Sequence, residues 1–99
     1  MPFQPEEYPY LWTLFAAYFF AAADEYTHSA EQEVLAAYSA DVGQQGVRAV
    51  LAELDRLLLH PAVWASALAE ANRYFATATE TQYWFCFLRS RLVALAEAS

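Results

Sequence analysis

Apolar side chains in this chain recur at the spacing of a helix face, and no stretch alternates apolar and polar residues long enough to suggest a strand. From Tyr8 to Ala23 almost every residue is apolar, and Pro9 stands where proline suits a first helical turn. Leu11, Leu14, Phe15, Tyr18 and Ala22 form one stripe, while Trp12, Phe19 and Phe20 lie off it. The spacing predicts a helix that is apolar nearly all round and buried on more than one side. Asp24 to His28 reads as the connection out. Ser29-Ala-Glu-Gln32 has the form of a capping box, so a second helix is expected from Ser29, with Val34, Leu35 and Tyr38 inward. It should stop before Gly43, a residue suited to a left-handed C-terminal position.

The third helix has the broadest face: Val47, Val50, Leu51, Leu54, Leu57 and Leu58, with Arg48, Glu53 and Arg56 off it. Pro61 ends that run and can open a fourth helix, marked by Trp64, Leu68 and Phe75. A second capping-box pattern, Thr79-Glu-Thr-Gln82, opens a last helix through Trp84, Phe85, Leu88, Leu92 and Leu95. With two Gly and four Pro in 99 residues, turn signals are too sparse for many short strands. The expected fold is all-α: a compact single-domain bundle of four to five helices over residues 1–99.

The aromatic run could also be taken for a membrane segment or a secretory signal. A span needs roughly 20 apolar residues, and this run is shorter. Glu6 and Glu7 precede it, Asp24 and Glu25 follow it, and no Lys or Arg flanks it. A buried helix of a cytoplasmic protein is the expectation, with no membrane partner. Cys86 is the only cysteine, so no disulfide forms within the chain, and its bulky neighbours suggest a small core residue.

Chemistry is sparse. The chain has no His-Glu-x-x-His, no Cys-x-x-Cys, no P-loop and no Gly-x-Gly-x-x-Gly. Asp24 and His28, four apart, are the nearest approach to a metal pair, and two ligands do not make a site. His60, at a helix junction, reads as a surface or capping residue. No catalytic residue, cofactor or metal is assigned. Five Arg against twelve acids, net charge −7, disfavours nucleic acid and favours a basic protein partner. The acids of the segment Asp24, Glu25, Glu31, Glu33 and Asp41, with no Lys or Arg among them, are the candidate binding residues.

Three blocks resemble the small immunity proteins of contact-dependent growth inhibition and related polymorphic toxin systems. They are Tyr8-Pro-Tyr-Leu-Trp-Thr-Leu-Phe-Ala-Ala-Tyr-Phe19, Val47-Arg-Ala-Val-Leu-Ala-Glu-Leu-Asp-Arg-Leu-Leu58, and Tyr74-Phe75 with the later Trp84 and Leu88-Arg-Ser-Arg-Leu92. The chain departs from the family's pattern at Phe20-Ala-Ala-Ala23, where relatives carry a polar run, and at Ala76-Thr-Ala-Thr79, where they carry Pro and Gly. The resemblance implies a cytoplasmic antidote that binds a cognate toxin C-terminal domain, often a nuclease, and covers its active site or substrate path. The alternative is a non-enzymatic helical module that acts by self-association, as a homodimer, or by regulatory protein binding.

Overall fold

The computed structural model describes residues 2–21 and 27–98. Those residues form helices and connections only, with no strand among them, as an all-α bundle requires. Helix α1 spans Pro9–Thr13 and runs into a wider π-helical turn, Leu14–Phe19. Helix α2 spans His28–Leu58, a 3-10 turn spans Pro61–Val63, α3 spans Trp64–Glu70 and α4 spans Ala78–Glu97. The longest packing seam joins α2 to α4, and α1 with its π turn lies against α2 and α3.

The N-terminus of α1 is capped from a distance. Tyr8 at the N-cap position offers no side-chain bond. Instead Glu53 of α2 accepts the amides of Tyr10 at 3.3 Å and Leu11 at 2.8 Å. A carboxylate there satisfies two otherwise unbonded donors and faces the positive end of the helix dipole. Glu53 is therefore buried, contrary to its expected place off the apolar face. Tyr38 reaches the same turn, donating its hydroxyl to the carbonyl of Tyr10 at 3.2 Å. Arg56 stacks over the Tyr8 ring, 4.9 Å from its centre, and donates to the Glu7 carbonyl.

The π turn changes which residues face inward. Phe20 donates to the Phe15 carbonyl, five residues back, at 2.9 Å. The widened turn brings Phe19 fully into the core beside Leu11, Leu14 and Phe15, and leaves Tyr18 half-buried. Straight helical spacing had placed Tyr18 inward and Phe19 off the stripe; Ala22, the last member of that stripe, lies outside the described residues. Phe15, Phe19, Trp84 and Phe85 form the aromatic centre. Phe15 and Phe85 stack with ring centres 6.2 Å apart, and Phe19 meets Trp84 edge-on at 5.4 Å.

The second and third predicted helices meet within α2 at Gly43, where the sequence predicts the break, and its φ of +73° is one that only glycine adopts without strain. Leu35, Tyr38, Val47, Val50, Leu54 and Leu57 on α2 are buried. The caps lie two residues before the expected ones. Thr27, not Ser29, caps α2, accepting from the Ala30 amide at 3.1 Å. Thr77, not Thr79, caps α4, accepting from Glu80 at 3.1 Å. Helix α3 ends sooner than its pattern suggested, so Phe75 belongs to the connection that follows. Its end is a Schellman motif: Asn72 adopts φ of +55°, Arg73 N–H reaches Leu68 O at 2.9 Å, and Asn72 N–H reaches Ala69 O at 3.1 Å.

Candidate functional site

The Schellman turn at Asn72 aims Arg73 into the protein, where it is 4 % exposed. Its guanidinium forks onto Glu31, with Nη2 to Oε1 at 2.7 Å and Nε to Oε2 at 3.3 Å. The third nitrogen donates to the carbonyls of Phe19 at 3.3 Å and Ala71 at 3.1 Å. Trp84 completes the group by donating its indole N–H to Glu31 Oε2 at 2.7 Å. The cluster thus ties the π turn, the start of α2, the connection after α3 and the start of α4 together. Every buried side-chain polar atom among the described residues finds a partner, which is what makes an ionised pair tolerable in a core.

This geometry corrects the expected acidic face. Glu31 is 1 % exposed and already balanced by Arg73, so it presents no charge to a partner. Asp24 and Glu25 lie outside the described residues. Glu33 is exposed and lines a cleft with Arg91 between α2 and α4. Asp41 is exposed too, eight residues further along α2, and accepts the Tyr18 hydroxyl at 2.5 Å. That hydrogen bond, with some help from burial and from the charge of Asp41, raises the Tyr18 pKa. Glu33 and Asp41 stand about 12 Å apart along the helix axis, so they act as separate charges. The structure brings neither of them to Glu31.

It brings together instead Phe75 of the connection before α4 with Tyr83, Trp84 and Phe87 of α4, while Tyr74 lies in a separate cleft with Trp64 and Leu68. Tyr74 is 77 % exposed and Tyr83 66 %. A groove of about 380 Å³ opens beside Tyr83, walled by Phe75, Trp84 and Phe87 as well, with Thr79 and Glu80 at its edge and Glu31 in its lining. Cys86 lies next to it and is exposed, not in the core as its apolar neighbours implied. The helical face explains both outcomes. Trp84, Phe85, Leu88 and Leu92 turn inward, so Tyr83 and Cys86 turn outward. The signal was present in the sequence: two large or reactive side chains on the wrong side of a clear apolar stripe.

His60 is a surface residue that turns its Nδ1 toward the Arg56 carbonyl at 2.8 Å, at the entry to the 3-10 turn. Among the described residues no three His, Cys, Asp or Glu side chains gather as a metal site, and no helix is long and apolar enough to cross a membrane. The surface offers carboxylates and aromatic rings, groups suited to holding a partner. No protein-family model, curated protein or solved structure matches the chain.

Proposed function

We propose that the protein is a binding protein that captures and neutralises a basic toxin domain, as the small immunity proteins of contact-dependent growth inhibition do. The observation that carries this reading is the exposed Tyr83 beside Glu80, at a groove walled by aromatic rings, on a molecule of net charge −7. Tyrosine and tryptophan anchors dominate the energetics of tight interfaces. Opposite charge speeds encounter and rejects wrong partners. A nuclease must present positive charge to phosphates, so an acidic helical protein with aromatic anchors is complementary to the surface its substrate uses. The three sequence blocks that resemble the immunity family add to this, and the protein's setting on that reading is the cytoplasm.

The test is co-expression with the toxin domain encoded immediately upstream. Survival of the cells and a purified one-to-one complex are the expected results. Continued killing with no complex overturns the reading. The exposed Phe20, Tyr74 and Tyr83 also fit a second reading, self-association through aromatic surface. Sedimentation separates the two: a dimer at micromolar concentration supports the second, and a monomer removes it.

A further inference from the structure

We infer that the cleft between α2 and α4 at Glu33 and Arg91 binds a small zwitterion, an α-amino acid with an apolar side chain. This goes beyond toxin capture: the described lining of the cleft shares no residue with the groove beside Tyr83.

Ser29 stands three and four residues before Gln32 and Glu33, so one face of α2 presents a hydroxyl, an amide and a carboxylate together. The α4 wall carries Arg91, half-buried, with Leu95 one turn further on. The two charges share the cleft without meeting. Among the described residues the ion pairs are Glu31–Arg73 and Asp55–Arg89, which leaves Glu33 and Arg91 unpaired. A lone anion in the cleft would meet the like charge of Glu33, and a lone cation that of Arg91. A hydrocarbon would strip water from both without replacing its hydrogen bonds. A zwitterion satisfies both walls. Its ammonium donates to Glu33, and its carboxylate accepts from the fork of the Arg91 guanidinium. Leu35 and Leu95 line the same cleft, so an apolar side chain on the ligand loses its contact with water there. The volume of about 270 Å³ holds a molecule of this size.

The experiment titrates the isotope-labelled whole chain with L-leucine, followed by NMR. Three controls each lack one feature: N-acetyl-L-leucine the cation, L-leucinamide the anion and glycine the side chain. L-leucine should shift the backbone signals of residues 29–36 and 91–95 saturably, with a Kd of about 1 mM. Each control should bind about fivefold more weakly. Glu33→Gln should erase the difference between leucine and its acetylated form, and Arg91→Gln the difference between leucine and leucinamide. Neither side chain belongs to the buried cluster, so both variants should fold. No saturable shift at about tenfold that concentration, or shifts elsewhere, overturns the inference. So does equal binding of either blocked leucine, and glycine binding as tightly as leucine overturns the apolar side chain. The titration needs no toxin, so the proposed function is tested separately from it.

Discussion

Two ion pairs of this protein are alike on paper and different in environment. Glu31–Arg73 is enclosed, with side-chain exposures of 2 % and 0 %, whereas Asp55–Arg89 is about half exposed at both ends. Glu31→Gln leaves a buried guanidinium uncompensated and should cost about 3–5 kcal/mol in urea unfolding. Asp55→Asn should leave the urea midpoint nearly unchanged, because solvent screens the pair, although the Asp55 hydrogen bond and charge raise the Arg89 pKa. Equal effects would mean that the buried cluster does not hold the elements together. Tyr38 gives a second test at this scale. Burial first, and then the charge of Glu53, hold its pKa well above the ordinary 10.0. The folded protein keeps the phenol proton while the unfolded chain releases it above pH 10, so the stability present below pH 10 is lost as pH rises beyond it. The urea midpoint should fall from pH 9.5 to 11 more steeply in the native protein than in Tyr38→Phe; parallel curves would contradict the assignment.

At the scale of elements, the helix caps separate two registers that differ by two residues. Thr77→Ala should cost about 1 kcal/mol and Thr79→Ala only a few tenths, with thermal unfolding as the measure; the reverse order would restore the capping box at Thr79. The bend in α2 makes a further distinction. At Gly43 a Cβ would meet nothing within 4 Å, and the penalty comes from the backbone conformation alone, φ +73° with ψ −179°, about 1–3 kcal/mol for alanine. At Gly46 a Cβ would lie 2.5 Å from Val42 Cβ. Gly46→Ala should therefore destabilise more than Gly43→Ala, and Val42→Ala should rescue it only in part, because the clash includes the Cβ itself. Most of this level was legible in the sequence. The stripes of α2 and α4, the break at Gly43 and the stop at Pro61 all depend on local spacing and backbone chemistry. What was not legible depends on distant partners. The π turn that buries Phe19 is a tertiary fit, Glu53 becomes a cap only once α1 lies against α2, and a Ser or Thr two residues away competes equally well for each cap.

For the whole molecule, net charge was readable at once, and its distribution was not. Arg73 lies 42 residues beyond Glu31, and nothing local marks them as a pair. One member of the acidic set was thereby removed from the surface, while Tyr74 and Tyr83 were added to it. Of the described acids in that set, Glu33 and Asp41 still face solvent. Reversing both to Lys should slow association with a basic toxin domain about three- to tenfold at low salt and flatten its salt dependence. Unchanged stopped-flow rates would take that side of α2 out of the encounter.

The remote cap on α1 also bears on how the chain is made. The carboxylate that completes this helix is 42 residues downstream of the Leu11 amide it accepts. A ribosome adding about 5–20 residues per second leaves the aromatic N-terminal segment without that carboxylate for roughly 2 to 8 s. During that interval Trp12, Phe15 and Phe19 have only an incomplete α2 and no α4 to cover them. Yield in the cell should thus depend on the speed of translation through α2 and on trigger-type chaperones that shield nascent apolar chain, and slowing synthesis between Leu11 and Glu53 should send more of the product into aggregates.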